Sequence, residues 1–265
     1  MVGWLIYREE DYVHNKRAVQ LFQESAKKLG MRLYLKIYPK DTLQSGAMPD
    51  FVINRSREYD LALWFETQWV RVFNSSEVTR ICNDKERTLE FAQNLGLPVL
   101  PWVSGTMCSE KECHYPAIAK SCSGHGGTEV FWVESIKQLR QVKTHLSDKK
   151  WILQQPASEL GKDLRVYVLG GRPLKAMLRT SKDDFRSNYS LGGCVSEYAF
   201  SAEIQNMIQR ITKVMHLDYV GIDFLFHRGK MVLNEIEDVV GARMLYMHTE
   251  LDIILEYMKY IRNQI

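Results

Sequence analysis

The sequence predicts a small α/β unit over residues 1–75, followed by a larger α+β region built on antiparallel sheets. Three observations predict it. Strand-like apolar runs alternate with a helical period over the first 75 residues, as in layered α/β units. Past Pro98 and Pro101 the texture changes to short strands joined by glycine-containing turns. The 265 residues are 45% hydrophobic and 25% charged, the balance of a globular protein with ample core.

Each element follows from local pattern. Gly3–Tyr7 reads as a buried strand. Asn15–Leu29 is a helix, apolar at 18, 22, 26 and 29, with Gly30 as its stop. Over Met31–Tyr38, Leu33, Leu35 and Ile37 alternate with Arg32, Tyr34 and Lys36, and Pro39 ends the strand. Phe51–Ile53, Leu61–Trp64 and Val70–Phe73 are further strand candidates, with Trp64, Phe65 and Trp69 most simply core. Asn74, Ser75 and Ser76 form a cap cluster before a short helix. Asp84 caps the next, whose Leu89, Ala92 and Leu95 share a face closed by Gly96. Ala117–Lys120 and Glu129–Val133 are strands around a glycine turn. Ser135–Leu146 is amphipathic through Ile136, Leu139, Val142 and Leu146. Residues 151–178 hold three strand-like runs with a Gly170-Gly171 turn. Ser201–His216 turns Ile204, Ile208, Ile211 and Met215 inward. Gly221–Phe226 and Lys230–Glu237 form a hairpin, and a helix over Asp252–Ile261 closes the chain.

Composition excludes some functions. Lys plus Arg number 35 against 32 Asp plus Glu, a net charge of +3, so neither a nucleic acid nor a membrane surface is an expected partner. No apolar run approaches the roughly 20 residues that span a bilayer, and the N-terminal apolar stretch is too short for a signal peptide. A cytoplasmic location is therefore expected. Five cysteines (82, 108, 113, 122 and 194) without paired spacing point to free thiols in a reducing compartment.

Several residue groups are candidates for chemistry. Glu235 and Glu237 are two apart on a strand and so share a face, while Asp223 lies within the apolar run of the partner strand. Three hard oxygen ligands suit magnesium; the alternative is an acidic strand end with Asp223 paired to an arginine. Lys120 precedes Gly124, Gly126 and Gly127, glycines through which backbone amides can approach a phosphate. The alternative is a flexible hairpin loop, and the order fits neither a Walker A loop nor a dinucleotide fingerprint. Asp163-Leu164-Arg165, Arg179 and Arg186-Ser187-Asn188 supply guanidinium forks for phosphate, or else salt bridges. Cys108, Cys113 and His114 are too sparse for zinc, and Cys122 with His125 is a poor nucleophile–base pair.

Taken in order, these features are more specific than any one of them. The chain resembles the RimK-type ATP-grasp ligases over about residues 70–250. Residues 163–170, 185–193 and 219–223 carry the resemblance most strongly, and 74–77 with 84–88 look like that family's linker into the nucleotide-binding part. The resemblance implies a pre-ATP-grasp α/β domain over 1–75 and an ATP-grasp domain over 76–265. The latter is split into a glycine-loop subdomain (76–155) and a metal-binding subdomain (156–265), with ATP between them. It further implies that Lys85 and Lys120 contact phosphates and that Gly124–Gly127 form a lid. Gln155 and Pro156 form the adenine hinge, and Asp163 and Arg165 lie near the nucleotide. Arg179, Arg186 and Asn188 serve the transferring phosphoryl group. Asp223, Glu235 and Glu237 would hold two magnesium ions, with manganese as the alternative.

The implied activity is ATP-dependent joining of a carboxylate to an amine through an acylphosphate, with an amino acid, a peptide or a protein terminus as substrate and assembly into oligomers open. A small-molecule kinase and a non-catalytic nucleotide-binding module are the competing readings. Four departures bear on substrate more than on chemistry; two of them are Glu129, where the family's glycine loop often has another Gly, and Gln155, where its hinge commonly has an acid. Glu237 stands where the family usually has Asn, and Asp238-Val239-Val240-Gly241-Ala242-Arg243 replaces a Pro-Gly ending.

Overall fold

A computed structural model describes the chain except for residues 44–45, 110–112, 147, 183 and 188–192. Three sheets organise it. The first is parallel, ordered β2-β1-β3-β4, from β1 (Val2–Arg8), β2 (Arg32–Tyr38), β3 (Phe51–Asn54) and β4 (Arg71–Phe73). Its central strands are buried in unbroken runs, as strands covered on both faces must be. Helix α1 (Glu9–Lys28) begins earlier than the apolar period does. Glu9, Glu10 and Asp11 complement the positive end of the helix dipole, and Asn15, where the sequence places the start, marks a kink.

Two expectations for this region fail. Leu61–Trp64 is not a strand but part of α2 (Tyr59–Thr67), which buries Leu61, Ala62 and Phe65 on one helical face. A four-residue apolar run cannot by itself distinguish the two periods. Trp69 is not core: it is 97% exposed at a left-handed turn residue (φ 63°), and Val70 takes the buried place.

Helix α3 (Ser76–Cys82) is capped by Ser75, which accepts from the Val78 amide, and α4 (Lys85–Asn94) by Asp84, which accepts from the Glu86 and Arg87 amides. An antiparallel sheet ordered β5-β8-β6-β7 follows, from β5 (Trp102–Ser104), β6 (Ala117–Ser121), β7 (Val130–Val133) and β8 (Trp151–Gln154). Helix α5 (Ile136–His145) covers it through Leu139 and the following Leu146; Ile136, expected inward, is 37% exposed at the first turn.

The largest sheet is antiparallel, ordered β11-β10-β9-β12-β13, from β9 (Lys162–Leu169), β10 (Arg172–Thr180), β11 (Cys194–Tyr198), β12 (Tyr219–His227) and β13 (Lys230–Glu237). One face packs Val166, Ile222 and Leu233 against α6 (Ala202–Thr212) and against α3 and α4. The other packs Tyr167, Met177 and Tyr219 against α8 (Ile253–Gln264), α7 (Arg243–His248) and the α1 side of the first sheet, so the two share one core. Buried Asn74 joins them. It accepts from the Asp218 and Tyr219 amides (2.9 and 3.0 Å) and donates to the Tyr219 carbonyl and Asp238 Oδ1 (2.9 and 2.7 Å).

Candidate active site

The site grows out of register. Antiparallel pairing sets Arg165 of β9 beside Asp223 of β12, Asp223 beside Glu235 of β13, and Asp163 beside Arg179 of β10. The side chains interlock. Arg165 donates from Nε and Nη2 to the two Asp223 oxygens at 2.8 and 2.7 Å. Arg179 grips Asp163 at 2.5 and 2.6 Å and reaches Asp223 Oδ2 at 2.7 Å. Arg165 Nη2 also lies 2.7 Å from Glu237 Oε2, without an aligned hydrogen bond. Burial alone raises a carboxyl pKa, but the two guanidiniums overcome it at Asp223 and hold it well below the usual carboxylate range. At Glu237 burial prevails and the carboxyl is raised.

Two lysines face this cluster. Lys120, at the end of β6, donates to Gln154 Oε1 (2.7 Å) and Asn234 Oδ1 (3.0 Å). Burial, with Lys85 adding to it and Glu235 opposing, brings its pKa down to about 8. Lys85 donates to the Gly124 carbonyl at 2.6 Å and lies 3.4 Å from Glu235 Oε2. Gly126 and Gly127 have φ of +63° and +78°, a left-handed backbone costly for any residue with a Cβ. Arg186, paired with Asp184, donates to the Gly127 carbonyl at 2.7 Å and so ties the glycine loop to the far wall.

One cleft is thus lined by Lys85, Lys120, Gly124, Gly126, Gly127, Asp163, Arg179, Arg186, Asp223 and Glu235. Gln155 and Pro156 line a neighbouring cavity of about 770 Å³, which shares Ala157 and Leu160 with the cleft. Arg165 and Glu237 line a third, of about 690 Å³, which meets the cleft at Gly126, Arg179 and Glu235. Asn188 lies outside the described residues. Gln154 and Asn234 are polar wall residues that periodicity missed. A β-bulge explains Asn234: register shifts between Asp223 and Phe224, so β13 carries one extra residue and both Asn234 and Glu235 turn to the cleft.

Hard-oxygen donors are present for a divalent cation. Glu235 is partly exposed, with one ion pair at 3.4 Å, and Glu237 Oε2 lacks an aligned donor. Asp223 is turned to its arginines, and among the described residues no three carboxylate, thiol or imidazole groups already converge as a ligand set. A cation at Glu235 would share Asp223 and Glu237 with Arg165 and Arg179. The cysteines offer no nucleophile here. Burial and the nearby Asp84 carboxylate push the Cys122 thiol up to about 11, so little thiolate forms at neutral pH. Cys108 and Cys113 place their sulfurs 2.8 Å apart on the wall of the Gln155 cavity.

A sequence profile of the RimK-like ATP-grasp domain matches residues 104–261, more than half of the chain. The chain belongs to the RimK-like ATP-grasp family. An uncharacterized protein of Mycoplasma pneumoniae is 28% identical over 247 residues, covering 91% of this chain and 85% of that protein. The glutamate–LysW ligase ArgX of Sulfolobus acidocaldarius is 24% identical over 211 residues, 75% of each chain. Among solved structures, the D-cycloserine synthetase DcsG superposes with a TM-score of 0.78 at 12% identity, covering 100% of this chain and 99% of that one, a likeness of fold. The fold is accordingly ATP-grasp, with an α/β sheet preceding antiparallel sheets, as the resemblance implied. Among the described residues no helix is long and apolar enough to cross a membrane.

Proposed function

We propose that this ATP-grasp protein is an ADP-forming ligase that joins a carboxylate to an amine through an acylphosphate. One observation carries the reading. Lys85 and Lys120, the glycine loop, Arg179 and Arg186, and the carboxylates of Asp163, Asp223 and Glu235 line a single cleft. Membership in an ATP-grasp family and the glutamate ligase among the relatives support it.

Charge explains what the cleft needs. In and beside the cleft, Glu159, Asp163, Asp223, Glu235 and Glu237 are five carboxylates, and Lys85, Lys120, Lys162, Arg165, Arg179 and Arg186 are six cations, so the cluster is close to neutral. A nucleotide triphosphate brings several negative charges into it, and these require added positive charge. Asp223, Glu235 and Glu237 would hold magnesium, which supplies charge neutralisation at the phosphates when bound.

The chain's own residues align and exclude water. Lys85 and Lys120 hold phosphate oxygens, and Lys120 exchanges its Gln154 and Asn234 contacts for them. Arg179 is oriented by Asp163 and Asp223 and lies where the cleft meets the third cavity, the place for a group that steadies the transferring phosphoryl. The substrate carboxylate oxygen attacks the terminal phosphorus, and ADP leaves. The amine nitrogen then attacks the acyl carbon, the bond to the phosphate oxygen breaks, and phosphate departs. Arg186 holds the glycine loop over the intermediate, which water otherwise hydrolyses.

Hydroxylamine trapping tests this without knowledge of the amine. With Mg-ATP and a pool of carboxylic acids, the reading predicts ADP together with a hydroxamate. ADP accompanied by a stable phosphate ester, with no hydroxamate, would show a kinase instead.

A further inference from the structure

The third cavity leads away from the nucleotide cleft between α1 and the segment 241–247, and nothing in the nucleotide chemistry explains the walls at its far end. Glu235, Glu237, Arg165 and Arg179 stand at the end nearest the cleft. Beyond them the lining is mixed: Leu21 of α1 and Met244 and Met247 of α7 form an apolar stretch, flanked by His14, Asn15 and Arg17 of α1 and by Arg243. Its only lining carboxylates are Glu235 and Glu237 at the cleft end, so a basic side chain finds no carboxylate partner farther out along these walls.

Four arginines line the cavity. Arg165 and Arg179 are engaged by Asp163, Asp223 and Glu237. Arg17 is drawn toward Gln20 and Glu24 at 3.4 and 3.8 Å. Arg243 has no ion-pair or hydrogen-bond partner among the described residues, although it faces a cavity of about 690 Å³. It belongs to the segment that replaces the family's Pro-Gly ending, and that segment is firmly held. Arg55 donates to the Val240 carbonyl at 3.0 Å, Tyr167 to the Gly241 carbonyl at 3.1 Å, and Asn74 and Asn83 to Asp238 at 2.7 and 3.0 Å. A fixed backbone carrying an unengaged guanidinium fork beside an apolar wall is a receptor for a carboxylate on an apolar body.

We infer that this cavity takes the amine-bearing substrate, and that this substrate is an amino acid with an apolar side chain and a free carboxylate. The carboxylate sits on Arg243, the side chain lies against Leu21, Met244 and Met247, and the amine points to the Glu235 end. This rests on the ligase reading above. In the step that follows, the amine nitrogen forms the bond to the acyl carbon, the phosphate leaves with the electron pair of the broken carbon–oxygen bond, and the amine proton passes to solvent.

Titration calorimetry on the full chain, saturated with Mg-AMPPNP, tests the inference without needing the acid substrate. L-methionine is the probe, with L-methioninamide lacking the carboxylate and L-glutamate lacking the apolar end. L-methionine should bind saturably and the other two about tenfold or more weaker, a difference of about 1.4 kcal/mol. Arg243→Ala should weaken L-methionine by about tenfold with AMPPNP affinity unchanged, and Arg243→Lys should recover part of the loss. L-glutamate or L-methioninamide binding as well as L-methionine would overturn the inference. So would no L-methionine binding while AMPPNP binds, or an Arg243→Ala variant with unchanged affinity. Failure of AMPPNP itself to bind would remove the ligase reading, and this inference with it.

Discussion

Glu235 and Asp223 face each other across one strand pair, yet they are built for different work. Glu235 is partly open to the cleft and has one ion pair at 3.4 Å; Asp223 is 1% exposed and holds two guanidiniums. Glu235→Ala should therefore abolish ADP formation while the melting temperature moves by only about 2 °C, since little buried structure depends on it. Asp223→Ala should instead cost about 3–5 kcal/mol by removing the buried carboxylate that Arg165 and Arg179 share, a melting temperature lower by on the order of 10 °C. Thermal melts of both variants separate the roles. Lys120 adds a dependence on pH. Its folded pKa of about 8 lies below the roughly 10.4 of an unfolded lysine, so between these values the unfolded chain binds more protons and stability rises with pH. Phosphate binding runs the other way, because it needs the ammonium. AMPPNP affinity should fall above pH 8, with proton uptake on binding, measurable by calorimetry in buffers of different ionisation enthalpy. Lys120→Ala should raise the KM for ATP and erase that pH dependence.

At the scale of elements, the glycine loop and β13 decide how the cleft is shaped. Arg186 is the side chain that ties the Gly127 carbonyl to the opposite wall of the cleft. Arg186→Ala should speed hydrogen exchange across residues 124–127 and raise the KM for ATP severalfold; unchanged exchange would mean the loop is held by other contacts. Much of this architecture was legible in the sequence. Ser75, from the expected cap cluster, and Asp84 cap the helices they were expected to cap, because a short oxygen side chain satisfies the free amides at a helix start. The hairpin of β12 and β13 announced itself by two apolar runs around Gly229. What escaped is where strict periods break. Alternation sends Asn234 away from Glu235, and only the bulge brings both to the cleft. Leu61–Trp64 is too short for its period to show, and Trp69 is placed by a left-handed turn that no propensity encodes. Arginines consuming a carboxylate, as at Asp223, depend on pairing between β9, β10 and β12, which spacing along the chain does not reveal.

At the scale of the molecule, the first sheet is fastened to the five-stranded sheet rather than appended to it. They share a core, Asn74 bridges β4 to β12 and Asp238, and buried Arg55 reaches the Val240 carbonyl. Asn74→Ala leaves several buried polar groups unpaired and should cost on the order of 3 kcal/mol, with the two sheets still melting in one transition. A separate early transition of the first sheet would refute the shared core. This coupling also places α1 on the wall of the third cavity, beside the cleft. The measurement that tests the whole account most directly is mass spectrometry of products formed from Mg-ATP with paired pools of carboxylic acids and amines, wild type beside Glu235→Ala. The account predicts ADP in step with a product of mass acid plus amine minus water, and neither from the variant. A phosphorylated product without condensation, or wild-type ADP formation by Glu235→Ala, would contradict it.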